Sequence, residues 1–399
     1  MASGTTPRRV AIFTGNRSEY GLQFPILRVI AADPRLRYYL LVGGAHLQED
    51  FGSTVAEIES DGFCIHGEVR TPVRPPSEAY TALCIADVVA SVSCLLSKVN
   101  PDFMLIYGDR FESFGAMIAS SQMNVPTAHV EGGDYTEGGA LDDSVRHAMT
   151  KLAHLHFTTT PQATERVLGL GEEPWRVFTI GLPTLDLARE GFFAQPQQLM
   201  AEFGLDLGRP LVLFCQHSIA SESERAQDQI RPSVAALSTL AMEGFQVIIT
   251  YPNNDAAGEA IVRELQQLQE CRLPGVHIVR SLGRHRFHGI LNLMGKVGRG
   301  VVVGNSSAGI KESPAFGCPC VNIGSRQRGR LRAANVLDTA YDGAEIVAAV
   351  RKAICDEKFR RQCQSCENPY GAGNAGERIA EVLATVPINA ALLQKKMTY

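Results

Sequence analysis

The sequence has no uninterrupted apolar run of roughly 18 residues, the length a membrane-crossing helix needs. Its most apolar helix-like stretch, residues 82–96, is interrupted by Asp87, Ser91 and Ser93, so no membrane span is expected. Charge of one sign is missing too: 38 basic residues stand against 42 acidic ones, a formal net of −4, with no basic tail or stripe. That argues against nucleic acid as a partner and leaves room only for a local phosphate pocket. The opening stretch MASGTTPRRV contains no apolar core of an export signal, and a cytoplasmic location is expected. The ten cysteines show no paired metal-ligand spacing. Cys84, Cys94, Cys215, Cys318 and Cys320 sit inside apolar runs as small hydrophobes. Cys363 and Cys366 make a single CxxC without the second pair that zinc requires. Reduced thiols and no bound metal are expected. No GxGxxG occurs, which removes the dinucleotide fingerprint, and no cofactor is expected.

What is present is an ordinary globular composition, 45% hydrophobic over 399 residues, enough for two domains. Short aliphatic runs alternate with longer segments of helical period. Strand candidates in the first half are 10–14, 39–42, 103–107, 127–130 and 155–159, with helices at 20–31, 78–98, 111–123 and 143–153. The second half repeats the theme, with strands at 210–215, 245–251, 276–279, 301–303 and 320–323. Its helices fall at 222–242, 256–268, 287–293, 309–315 and, after a glycine-rich loop, 375–386. Continuous apolar strands alternating with helices indicate parallel sheets covered on both faces. The expected fold class is α/β, two doubly wound Rossmann-like domains facing across a cleft. They occupy 1–181 and 210–399, joined by a linker at 182–209 where the periodicity weakens. Ligands of such sheets bind beyond the carboxyl ends of the strands.

The polar clusters follow strands. After the first comes Thr14-Gly15-Asn16-Arg17-Ser18-Glu19, where Arg17 and a helix N-terminus suit an anion. Gly108-Asp109-Arg110 and Glu131-Gly132-Gly133-Asp134 follow two further strands, and Asp142-Asp143-Ser144-Val145-Arg146-His147 lies shortly beyond. Adjacent parallel strands would put Asp109 and Glu131 on one rim. Carboxylates sharing a half-dry site raise one another's pKa, which suits proton transfer. In the second half, Phe214-Cys215-Gln216-His217 ends a strand with an imidazole. The run Val303-Gly304-Asn305-Ser306-Ser307-Ala308-Gly309-Ile310-Lys311-Glu312 passes from a strand through small residues into a helix. Its hydroxyls and backbone N–H groups suit a phosphate, with Glu312 about one turn on and within reach of a ribose. Ile310 stands where a P-loop needs its Lys, so this is no Walker motif.

Together these residues resemble the UDP-N-acetylglucosamine 2-epimerase family, and within it the hydrolysing branch that feeds sialic-acid-type sugars. Gly108-Asp109-Arg110-Phe111, His129-Val130-Glu131-Gly132-Gly133, Leu141 through His147, Lys151-Leu152-Ala153-His154 and Gly304-Asn305-Ser306-Ser307 carry the resemblance. Tyr251-Pro252-Asn253-Asn254-Asp255 and Gly324 through Arg330 extend it over nearly the whole chain. It implies a GT-B-like fold, a nucleotide-sugar partner (UDP-linked) and a homodimer or homotetramer. Acid/base roles fall on Asp109, Glu131 and Asp142, and that of a catalytic histidine near the diphosphate on His217. Nucleotide and substrate contacts fall on Arg17, Arg110, Asn253, Asp255, Ser306, Ser307, Glu312 and Arg326. Phe287 takes the place that stacks on uracil, although a loop-like stretch at 295–300 lengthens its interval to Ser306. The loop at 134–140 is also longer than in the sialic-acid enzymes.

The implied reaction turns UDP-N-acetylglucosamine and water into N-acetylmannosamine and UDP. UDP leaves by anti elimination as a carboxylate takes the C2 proton; the glycal is then hydrated with inversion at C2. Two faces of the sugar require two proton-handling groups, and which of Asp109, Glu131 and Asp142 serves which face stays open. Arg17, Arg326 and a protonated His217 would neutralise the leaving diphosphate without a metal. One alternative is the same reaction on a UDP- or GDP-linked 2,4-diacetamido-trideoxy sugar. Others are a non-hydrolysing epimerase, a GT-B glycosyltransferase and a non-catalytic sensor; three carboxylates and a histidine argue against the last.

Overall fold

A computed structural model describes residues 6–47, 55–72, 79–135, 141–252 and 257–399. They fall into two compact units, one holding the described residues up to 186 together with 373–399, the other holding 187–372. In the first unit seven strands form one parallel sheet: β1 (Arg8–Thr14), β2 (Leu36–Gly43), β3 (Ile65–Val69), β4 (Phe103–Tyr107), β5 (Thr127–Val130), β6 (Leu155–Thr158) and β7 (Val177–Thr179). Helices α1 (Arg17–Ala32), α2 (Val55–Ser60), α3 (Tyr80–Val99), α4 (Phe111–Gln122), α5 (Leu141–Leu152) and α6 (Pro161–Gly169) alternate with them, and α7 (Thr184–Glu190) leads to the second unit.

The second unit has six parallel strands: β8 (Leu211–Cys215), β9 (Gln246–Thr250), β10 (Val276–Val279), β11 (Gly300–Gly304), β12 (Cys320–Ile323) and β13 (Val336–Thr339). Its helices are α8 (Pro196–Phe203), α9 (Ala226–Met242), α10 (Gly258–Glu270), α11 (Gly283–Asn292), α12 (Ser307–Lys311), α13 (Gly343–Cys355) and α14 (Glu357–Ser365). The chain ends with α15 (Ala375–Thr385) and α16 (Ala390–Leu393) in the first unit. Strand order is β3-β2-β1-β4-β5-β6-β7 in one sheet and β10-β9-β8-β11-β12-β13 in the other. The winding direction therefore reverses between β1 and β4, and again between β8 and β11, the points where doubly wound sheets open toward a ligand.

The sheets are buried on both faces, as continuous apolar strands require. On β8, Val212 and Phe214 join one core cluster while Leu211 and Leu213 join another on the opposite face. All five residues of β4 are buried. Fully burying each such side chain contributes about 1.5–3 kcal/mol relative to leaving it exposed. One described helix, α3, is long and apolar enough to cross a membrane, with mean hydropathy 1.8 over its most apolar window. Cys84, Val88, Val92 and Leu96, four residues apart, form its buried stripe, the last three of them in the first unit's core. Gly115 of α4 permits the close crossing: a Cβ there would lie 2.9 Å from that of Val88.

Four expectations are corrected. The C-terminal helix belongs with the first unit, not the second. Asp186 accepts the N–H groups of Ala375 and Gly376 at 2.9 and 2.7 Å, capping α15, and Arg8 donates to the carbonyls of Leu383 and Val386, each at 2.8 Å. The stretch at 182–209 is built into the fold by α7 and α8, with Leu199 and Phe203 in the core. The helix expected at 309–315 starts earlier and breaks at Glu312, beyond which Pro314 sits in a 3-10 turn. Much of the expected loop at 295–300 is taken up by a π-helical turn over Leu293–Val297 and by the start of β11.

Candidate functional site

In the first unit the polar residues gather at the carboxyl ends of β1, β4 and β5. The turn carrying Asp109 and Arg110 leaves β4, and the Gly108 N–H donates to the Val130 carbonyl at 3.0 Å. Below it lies His129, fully buried on β5. Burial pushes its pKa down to about 3, so the ring is neutral. The lone N–H then sits on Nε2, donating to the Gly108 carbonyl at 2.7 Å, while Nδ1 accepts from the Thr150 hydroxyl at 3.2 Å.

Glu131 leaves β5 with φ +69°, in the left-handed region. A residue with a Cβ occupies that region at a cost of about 1–2 kcal/mol, so it must be held there. Its N–H donates to Phe157 at 2.8 Å and its carbonyl accepts from Arg146 Nη1 at 2.9 Å. Arg146, from α5, also ion-pairs with Asp109 and is almost fully buried. Burial opposes its charge, but Asp109, Asp134, Glu131 and Asp143 outweigh it and hold the guanidinium more firmly protonated than usual. The acids thus do not crowd one another alone: a cation stands among them. Asp142 is exposed in the first turn of α5, while Asp143 beside it is buried.

The neighbouring turn after β1 is tied to the same region by Glu19, which accepts from the Gly15 N–H at 3.2 Å and the Ser113 hydroxyl at 2.7 Å. Burial raises this carboxyl to about 8. His46, buried on Thr14 Oγ1 at 3.0 Å, is pushed down by burial to about 4. Arg17 pairs with Glu57 at 3.1 Å and Arg110 lies 3.4 Å from Glu112; both arginine side chains are largely exposed.

In the second unit β8 and β11 end side by side. Gly304 has φ +129°, and a Cβ there would lie 1.9 Å from the Cys215 carbonyl oxygen, so only glycine allows this approach. Ser306 caps α12, its Oγ accepting from Ala308 N–H at 3.4 Å, and Ser307 opens that helix. Because α12 is short, Glu312 lies at its end and meets buried His288 at 2.5 Å. His217 follows β8, with Nε2 3.3 Å from Cys215 Sγ. Burial, then Arg326, pushes its pKa down to about 3, so the imidazole expected to be protonated is neutral. Arg326 donates to the Asn305 carbonyl at 3.1 Å. Phe287 is half-buried against the core. Asn253 and Asp255 lie outside the described residues.

Among the described residues no group of three His, Cys, Asp or Glu side chains could hold a metal. Sequence reasoning missed four residues as site members: Arg146, His129, Asn305 and His288. The first three lie within the motifs that carried the family resemblance. Asp143, Arg146 and Thr150 also stand at helical spacing on one buried face, a signal readable in advance. His288 reaches Glu312 only through tertiary packing.

Residues 28–384 match the family model described as UDP-N-acetylglucosamine 2-epimerase. The UDP-N,N'-diacetylbacillosamine 2-epimerase (hydrolyzing) of Legionella pneumophila is 30% identical, over 98% of this chain and all of that protein. The GDP/UDP-N,N'-diacetylbacillosamine 2-epimerase (hydrolyzing) of Campylobacter jejuni is 33% identical, over 83% of this chain and 84% of that protein. The crystal structure of UDP-GlcNAc 2-epimerase from Neisseria meningitidis bound to UDP-GlcNAc shares the fold, with TM-score 0.79 and 18% identity. It aligns over 94% of this chain and 99% of that one.

Proposed function

Since the chain belongs to the UDP-N-acetylglucosamine 2-epimerase family, we propose that it is a hydrolysing 2-epimerase, releasing UDP and a free, C2-inverted sugar from a UDP-linked 2-acetamido sugar. The observation that carries this reading is Arg146, which holds Asp109 and the strained Glu131 together at the carboxyl ends of β4 and β5, beside the sheet's switch point. A weakly acidic C2 proton needs a base fixed in place, and replacing it on the opposite face needs a second group. Asp109, Glu131 and Asp142 supply these groups. Asp142 is exposed in the first turn of α5 and suited to touch substrate; buried Asp143 balances Arg146.

Departure of UDP requires charge stabilisation at the diphosphate. Arg17 and Arg326 supply the cations, Ser306 and Ser307 the hydroxyls. Neutral His217 gives a hydrogen bond, and an arriving diphosphate favours its protonation. Arg110 and Phe287 complete the nucleotide contacts in this reading.

The names of the Legionella pneumophila and Campylobacter jejuni relatives favour a UDP-linked 2,4-diacetamido-trideoxy sugar over UDP-N-acetylglucosamine. Incubation with each, and with the GDP-linked counterpart, in the absence of any acceptor tests this. The diacetamido substrate should give the highest kcat/KM and free UDP as product. Conversion to an epimeric nucleotide sugar without UDP release would contradict hydrolysis, and no turnover without an acceptor would favour a glycosyltransferase.

Glu312→Ala and Ser306→Ala should each raise the UDP dissociation constant roughly tenfold, the worth of one charge-assisted hydrogen bond. Calorimetry that finds unchanged affinity in both variants places the nucleotide elsewhere.

A further inference from the structure

Asn305 is 1% exposed, too buried to meet a substrate, yet both ends of its side-chain amide bind the backbone of one residue. Its Oδ1 accepts the His217 N–H at 2.7 Å, and its Nδ2 donates to the His217 carbonyl at 2.8 Å. Its own backbone is gripped as well. The Asn305 N–H donates to the Cys215 carbonyl at 3.1 Å, while its carbonyl accepts from Gln327 Nε2 at 2.8 Å and Arg326 Nη1 at 3.1 Å. A two-point amide-to-backbone pairing fixes both the position and the rotation of its target, and needs a donor and an acceptor on one planar group. Asparagine meets that demand at this distance. Aspartate would keep the bond to the N–H but set an oxygen against the His217 carbonyl.

We propose that Asn305 is a positioning residue that sets His217 relative to the Ser306–Ser307 turn. The proposal rests on the reading of His217 as the histidine that serves the leaving diphosphate. Ser306 follows Asn305 directly in the chain, and His217 is held to Asn305 by the two bonds. One side chain therefore couples the group that assists departure to the turn that holds the departing phosphates. Misplacing a reacting group by about 1 Å can cost on the order of 10²-fold in rate. Loss of Asn305 should therefore appear in turnover more than in binding.

The test is a double-mutant cycle of Asn305→Ala and His217→Ala, read as kcat, KM and calorimetric UDP affinity. Asn305→Ala should lower kcat by roughly 10–100-fold, with UDP affinity within about threefold because Ser306, Ser307 and Arg326 remain. In the His217→Ala background the same substitution should cost less than about twofold. Should Asn305→Ala not fold, the isosteric Asn305→Asp takes its place in the cycle. If His217→Ala is impaired but the Asn305 loss is additive, or falls on UDP affinity as strongly as on kcat, the proposal is overturned alone. A His217→Ala enzyme at full rate overturns the reading of His217 as well.

Discussion

Asp109→Asn, Glu131→Gln and Asp142→Asn should each lower kcat by roughly 10²–10⁴-fold while UDP affinity changes little. Each substitution keeps the side chain's size and removes its capacity to take up a proton. Arg146→Met should act differently. It leaves Asp109, Asp134, Glu131 and Asp143 without their shared cation, in a site where Arg146 itself is buried. Breaking a buried ion pair by removing one partner costs about 3–5 kcal/mol, so this variant should lose stability together with activity. Asp143→Asn should also affect stability first, because Asp143 is the buried acid of the pair. Steady-state kinetics and urea unfolding on the same preparations separate the two classes. Wild-type-like turnover in all three of the first variants would remove the acids from the mechanism.

The second large effect is on stability against pH. Burial holds His46 and His154 at about 4, and His129 and His217 at about 3. Unfolded, each titrates near 6.5. Between these values the unfolded chain binds protons that the folded chain refuses, so stability present above pH 6.5 drains as pH falls. Each fully displaced histidine contributes about 1.4 kcal/mol per pH unit. Glu19 works the other way: held protonated up to about 8 in the fold, it favours the folded state as pH falls toward 4.5. The net is a loss of roughly 3 kcal/mol between pH 6 and pH 5. Glu172 adds a further loss in stronger acid. Burial opposes its charge, but hydrogen bonds from His156, Lys151 and Lys395 outweigh that and hold its carboxyl at about 2. Its stabilisation is present above pH 4.5 and disappears as pH falls through 2. Urea midpoints that stay flat from pH 7 to 5 would contradict the account of the buried histidines.

The central strands were legible because burial on both faces writes a continuous apolar run; β4, Phe-Met-Leu-Ile-Tyr, is the clearest. Strands β3, β7 and β13 were not. They lie at sheet edges, are mostly half-buried, and their sequences Ile-His-Gly-Glu-Val, Val-Phe-Thr and Val-Leu-Asp-Thr carry too little pattern. The docking of α15 depends on Asp186, nearly 190 residues away in sequence, and no local signal encodes it. Among the candidate site residues, the turns after β1, β4, β5, β8 and β11 were readable because function in doubly wound sheets collects at strand ends. The rotation of α5, which buries Asp143 and Arg146 and exposes Asp142, follows from helical period and could have been read. The pairing of His288 with Glu312 could not, since 24 residues and a strand separate them.

The most direct test of the proposed reaction is a proton NMR time course in D₂O with the UDP-linked 2-acetamido sugar as the sole substrate. The account predicts stoichiometric UDP and a free manno-configured sugar carrying deuterium at C2, because the proton removed on one face is not the one returned on the other. A free sugar that keeps its C2 proton, or an epimerised sugar still attached to UDP, would contradict it.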